Sequence, residues 1–244
     1  MKTETKLSAR TEPFDSYWQG PENVDEGWDS FAQFYKANYG ARLPADKGAK
    51  ILVVACGPGY FVKFLVDQGY RDVLGIDSDP AKVAHGAKRG LPCRPEGAFP
   101  HLDGGSERYD FILCEQELNH LTKDEMVAFL VLCRANLRRG GRLIVYGLNG
   151  ANPITGSEAL AQNFDHFNTF TEYSLRQVLE LCGFHHIEVF PLNLYVFYRN
   201  PLNYVGLAAT GLLSLLFRIC FKLYGKSNRI FTKKIAAAAR RDAA

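Results

Sequence analysis

Three groups of residues in this sequence have types and spacings that could do chemistry. The first is Cys56-Gly57-Pro58-Gly59, which follows directly on the apolar run Ile51-Leu52-Val53-Val54-Ala55. Glycines there let the backbone approach a ligand that a Cβ would strike, and a helix opening at Tyr60 would offer unpaired N–H groups. The second is Asp77-Ser78-Asp79-Pro80. An acid at a strand tip can accept both hydroxyls of a ribose, or it can cap the helix that Pro80 opens. Asp77 reads as the diol acceptor and Asp79 as the cap. The third is Glu115-Gln116-Glu117-Leu118-Asn119-His120, with His166 farther along. Histidine titrates near neutrality and suits proton transfer, so His120 and His166 are both candidate general bases, though each could equally be a loop histidine bonded to backbone. Glu115 and Glu117 are alternative bases, or partners for an amine. His85 and His185-His186 read as structural. No cluster of His, Cys, Asp and Glu has metal-ligand spacing along the chain, so no metal is expected.

Each group needs a strand to hold it at a common edge. The run from Ile51 is uninterrupted in the manner of a strand covered on both faces. Phe61, Phe64 and Leu65 then recur at helical spacing. Further strands are expected at Arg71–Ile76, Leu91–Arg94, Tyr109–Cys114 and Arg142–Gly147. Helices are expected at Ala81–Arg89 and from Thr122 to Arg138, the second opened by a Thr122/Glu125 capping box and stopped by Arg139-Gly140-Gly141. Such alternation predicts a parallel sheet with right-handed crossovers and helices on both faces. Ligands in these sheets sit beyond the carboxyl ends of the strands, where all three groups would lie.

The glycine turn is neither a dinucleotide fingerprint, which needs a third glycine where Val62 stands, nor a phosphate loop, which needs a Lys-Ser/Thr pair. It resembles the first motif of the class I S-adenosylmethionine-dependent methyltransferases. Gly75-Ile76-Asp77, Tyr109-Asp110-Phe111-Ile112, Asn119-His120-Leu121 and Leu137-Arg138-Arg139-Gly140-Gly141-Arg142-Leu143 follow in that family's order. Asp165-His166, Phe170-Thr171 and Leu181-Cys182-Gly183-Phe184 resemble members associated with bacterial polysaccharide and glycolipid synthesis. The resemblance implies a seven-stranded Rossmann-like methyltransferase sheet, mostly parallel with an antiparallel last strand near Thr232–Arg240. It implies S-adenosyl-L-methionine as cofactor, held by Ala55, Cys56, Gly57, Gly59, Asp77, Ser78, Ala98, Phe99, Glu115 and Gln116. The acceptor would be a hydroxyl of a glycan or glycolipid, with a small soluble metabolite as the alternative. Three acids usual in the family are absent, at Val53, Gly97 and Gln116, so a protein that binds the cofactor without catalysis stays open.

At 244 residues with 47% hydrophobic content, the chain can bury a full core. Six scattered cysteines without a C-x-x-C suit a reducing cytosol, and the polar Met1–Lys6 lacks a secretion signal. The domain division expected is a helical cap or lid over 1–45, a core from 46–193 and 230–241, and an apolar and basic excursion over 194–229. Net charge is only +3, yet eight Lys/Arg and one acid lie from Arg218 onward. Tyr204–Phe217 is apolar but shorter than a bilayer requires, and Arg218, Lys222, Lys226 and Arg229 follow. That composition suits a helix lying on an anionic membrane surface, on the inner face of the membrane. A buried helix pair or a homodimer contact is the other reading. Nucleic acid is not an expected partner, for want of a distributed basic groove.

Overall fold

The computed structural model describes residues 24–103, 108–115, 118–161, 163–193 and 201–242. Its strands are β1 (Lys50–Val54), β2 (Asp72–Asp77), β3 (Cys93–Pro95), β4 (Tyr109–Cys114), β5 (Leu137–Leu148), β6 (His185–Leu192) and β7 (Lys234–Arg240). They form one sheet in the order β3-β2-β1-β4-β5-β7-β6. Strands β1 to β5 pair in parallel, and β7 lies antiparallel between β5 and β6. The helices are α1 (Val24–Tyr39), α2 (Tyr60–Asp67), α3 (Pro80–Ala87), α4 (Ala98–Asp103), α5 (Lys123–Asn136), α6 (Glu158–Ala161), α7 (Glu172–Leu181) and α8 (Leu202–Leu223).

Alternation along β1 shows why the sheet is covered twice. Leu52 and Val54 pack with residues of α4, α5 and α7 on one face. Ile51 and Val53 pack with α1 and α2 on the other. All four are wholly buried, as a central parallel strand demands. Strand order reverses between β2-β1 and β4, which places the crevice of such folds beside the end of β1.

Two expected boundaries are corrected. Helix α5 ends at Asn136, before Arg138, because Asn136 turns its side-chain amide onto the carbonyls of Leu102 and Leu132. Gly140 and Gly141 do not cap it: Gly140 N–H donates to Arg241 O, and Arg241 N–H to Gly141 O, so β5 begins at Leu137. Within the excursion, the helix runs past the apolar stretch Tyr204–Phe217 at both ends. Helix α8 has 22 residues because Phe221 and Leu223 continue it through its basic end.

The carboxyl ends of β5 and β6 share a rim with the tip of β1. Leu148 and Leu192 both pair with Lys234, the first residue of β7. Helix α8 therefore leaves and re-enters the sheet at the edge that carries the glycine turn.

Candidate active site

The end of β1 is a sharply folded turn. Ala55, Gly57 and Gly59 all have positive φ, at 52°, 54° and 95°. The left-handed region costs a residue with a Cβ roughly 1–2 kcal/mol, so Ala55 is held there by its surroundings. Cys56 N–H donates to Ile76 O, and Gly59 N–H to Cys56 O. The two glycines differ in what faces them. A Cβ on Gly57 would meet nothing within 4 Å, whereas one on Gly59 would lie 3.0 Å from Cys93 Sγ. Gly57 thus borders open space, while Gly59 lets the start of α2 close against β3.

Asp77 braces this turn from β2. One carboxylate oxygen accepts Gly57 N–H at 2.8 Å and the other accepts Asp79 N–H at 2.9 Å. Each oxygen keeps acceptor capacity beyond these bonds, and the residue is buried. Asp79 caps α3 through Ala81 N–H and Lys82 N–H. Ser78 sits between them, half-buried. Glu96 N–H donates to Asp77 O, which brings Ala98 and Phe99 of α4 to the same rim. Ala98 is buried, and the Phe99 ring packs against Phe129, centroids 6.0 Å apart.

Glu115 follows β4 and points into the α1–α2 side. Tyr35 Oη donates to its carboxyl at 3.2 Å, and Phe61 N–H, in the first turn of α2, bonds it too. Burial lifts its pKa to about 8, although both of those bonds pull it down. Val53 leaves the first turn of α2 without an acid from β1, and Glu115 supplies one from β4. Helix α1 is tied in further by Trp28, edge-on to Tyr60 at 4.8 Å, and by Tyr35 against Phe61. Gln116 and Glu117 lie outside the described residues.

The histidines come together beyond β4. His120 Nδ1 is 3.1 Å from Asp165 Oδ2, both residues being buried. The His120 and His166 rings meet edge to face, 4.7 Å between centroids. His166 Nδ1 bonds Ala159 O at 2.5 Å, and its Nε2 lies 3.1 Å from Asn163 Nδ2. The backbone holds this loop in place, Phe167 N–H donating to Asn119 O and Asn168 Nδ2 to Leu121 O. Spacing along the chain conceals the cluster. His120, Asp165 and His166 each bring one possible metal ligand within 4.8 Å of the others. The pairing of His120 Nδ1 with a buried carboxylate also gives the cluster the makings of a proton-handling group, because an acceptor on Nδ1 sets the tautomer whose Nε2 is basic.

Sequence reasoning missed three site residues. Asp165 was visible only as the neighbour of His166. Tyr35 stands on α1 among aromatic neighbours, as on any packing face. Asn119 is wholly buried, and among the described residues neither Nδ2 nor Oδ1 has a hydrogen-bond partner. Leaving a buried amide unpaired is costly, and this one lies behind Gly147 at the rim.

Sheet order and rim define a Rossmann-like α/β fold, the fold that solved methyltransferase structures share. Residues 51–141, from β1 into β5, match a family model described as a methyltransferase domain. Solved structures of the same fold include an S-adenosylmethionine-dependent methyltransferase from Archaeoglobus fulgidus, with TM-score 0.63, 14% identity, and 89% of this chain and 97% of that chain covered. Another is from Mesorhizobium loti, with TM-score 0.58, 17% identity and 88% and 100% covered. A third is phosphoethanolamine N-methyltransferase 2 of Haemonchus contortus in complex with S-adenosyl-L-methionine, with TM-score 0.52 and 14% identity; 94% of this chain aligns with 55% of that one. At such identities the likeness is one of fold. No curated protein sequence matches the chain.

Proposed function

We propose that this protein transfers a methyl group from S-adenosylmethionine to a hydroxyl of a glycan or glycolipid at the membrane surface. The rim fits the donor. Gly57 opens toward it, and Asp77 has acceptor capacity for the ribose hydroxyls. Ala55, Cys56, Gly59, Ser78, Ala98 and Phe99 shape the same edge. Bound there, the cofactor supplies an activated methyl on a sulfonium, and the protein supplies alignment and exclusion of water. Glu115 is assigned to the methionine ammonium, whose charge would favour the ionised carboxyl. His120 takes the acceptor's proton on Nε2, and Asp165 on Nδ1 stabilises the imidazolium that results. His166 and Glu117 are the alternative bases.

The observation that carries the membrane reading is α8. No residue of this helix is buried, and its mean hydropathy reaches 1.7. Its 22 residues would extend about 33 Å, enough to cross a bilayer. Crossing is nevertheless disfavoured, because Leu192 before it and Lys234 after it are register partners. Residues 224–233 would have to return through hydrocarbon with their backbone groups unpaired. The basic end also stays on the domain, with Phe217 and Phe221 against Phe231 and Arg218 Nη2 donating to Arg229 O. A helix lying in the headgroup layer of a cytosol-facing leaflet satisfies both constraints, and each basic side chain adds about 1 kcal/mol at an anionic surface.

The test replaces residues 194–232 by a short turn between β6 and β7. The variant is expected to bind S-adenosylhomocysteine as before but to stay in the supernatant when anionic phosphatidylglycerol vesicles are sedimented. Continued co-sedimentation would sink the membrane reading. Labelled methyl transfer to a lipid-linked glycan fraction tests the acceptor, and cofactor binding without turnover on any glycan would mark a silent binding protein.

A further inference from the structure

Helix α8 has two faces, and only one points away from the protein. Leu212, Leu215, Leu216 and Ile219 face outward and are about half or more exposed. Leu207, Gly211, Ser214 and Phe217 recur every three or four residues and roof a cleft of about 390 Å³. Leu192, Phe231 and Ile154 form its floor and side. Thr155 is in the wall, and its Oγ1 is buried with no hydrogen-bond partner among the described residues. A second, more open cleft of about 700 Å³ adjoins the first, sharing Ser214, Phe231 and Thr232 with it. Arg176, Arg218 and Arg229 line the second cleft. Its acid, Glu172, already accepts the N–H groups of Arg229 and Ile230. One cleft is apolar and of small-ligand size; its neighbour is cationic.

We infer that the two clefts together bind a single phosphate-bearing lipid drawn from the membrane, its chain under α8 and its phosphate among Arg176, Arg218 and Arg229. This rests on the membrane-surface reading above and narrows the acceptor to a phospholipid-linked one. Charge complementarity selects the head, since guanidinium groups pair phosphate oxygens two at a time. The outward leucines place the mouth of the apolar cleft at the hydrocarbon boundary. The route onward follows the chain. Asn152, Ile154 and Thr155 line the cleft, Ala159 N–H bonds Thr155 O, and Ala159 O bonds His166. The apolar cleft is thus joined through one loop to the histidine pair.

Monomeric farnesyl phosphate is the probe, measured by calorimetry on the full chain, with farnesol and inorganic phosphate as the separate halves. Either half alone is expected to bind at least about tenfold more weakly than the whole. Gly211→Phe should fill the apolar cleft without strain, because a Cβ there meets nothing within 4 Å. Arg176→Ala combined with Arg229→Ala removes two of the three guanidinium groups that line the cationic cleft. Each variant is expected to lose about tenfold or more in farnesyl phosphate affinity while keeping S-adenosylhomocysteine. No binding, equal binding by both variants, or a dimer that shields α8 without lipid would overturn the inference. If the wild-type chain retains S-adenosylhomocysteine in those cases, the methyltransferase reading survives; if it does not, that reading fails first.

Discussion

The half of the rim proposed for the donor and the half proposed for the acceptor are built in opposite ways. Around the tips of β1 and β2, nearly every polar group is spoken for: Asp77 holds Gly57 and Asp79, Cys56 N–H bonds Ile76 O, and Asp79 caps its helix. Beyond β4 and β5 the structure leaves interactions unfilled. Among the described residues, neither the Asn119 amide nor the Thr155 hydroxyl has a hydrogen-bond partner, and α8 stands outside the core. A pre-formed pocket suits a ligand that never changes, whereas loose ends suit one that completes the protein when it arrives.

That contrast can be broken most sharply at His120. His120→Ala is expected to lower turnover by about 10²–10⁴-fold while S-adenosylhomocysteine affinity holds; Asp165→Asn should lower it less and shift the pH profile. If affinity fell with turnover, the histidine would belong to the donor half. Asp77→Ala should do the reverse, weakening S-adenosylhomocysteine about 100-fold or more through the loss of charge-assisted bonds. Calorimetry that found its affinity unchanged would remove the basis for the donor site.

Glu115 joins the halves through pH. Its pKa is about 8 in the folded protein against 4.5 in the open chain. The folded state therefore holds a proton that the unfolded chain releases, and the stability this carries is complete below about pH 4.5 and lost as pH rises to about 8. Across that window the slope is about 1.4 kcal/mol per pH unit for this group. Glu115→Gln should flatten the fall of Tm between pH 5 and 8; an unchanged slope would mean another group carries it. The smallest effect is expected at Asn119. Asn119→Leu removes an unpaired amide and should raise unfolding free energy by about 1 kcal/mol in the ligand-free protein, while acceptor or cofactor affinity falls. A loss of stability would show that the amide has a partner.

Much of the donor half was legible in the sequence because it is local. Positive φ at Gly57 and Gly59, the acid at the end of β2 and the Asp79-Pro80 cap each declare themselves within a few residues. The paired box at Thr122 and Glu125 was legible for the same reason and is present. The acceptor half is non-local. Asp165 reaches His120 across 45 positions, just as Tyr35 reaches the donor-side Glu115 across 80, and no pattern in a single sequence records such meetings. The length of α8 was misjudged because Arg218 and Lys222 broke the apolar run, although a helix lying flat can direct such groups to water.

One rung of the sheet separates the segment proposed to meet the membrane from the strands beneath it. Since the neighbouring residues Leu192 and Lys234 bracket the whole excursion, lineages could lengthen, shorten or exchange that segment without shifting any strand by a residue. Address and reaction would then be free to evolve on separate schedules, the one written in a detachable loop and the other in the strands beneath it.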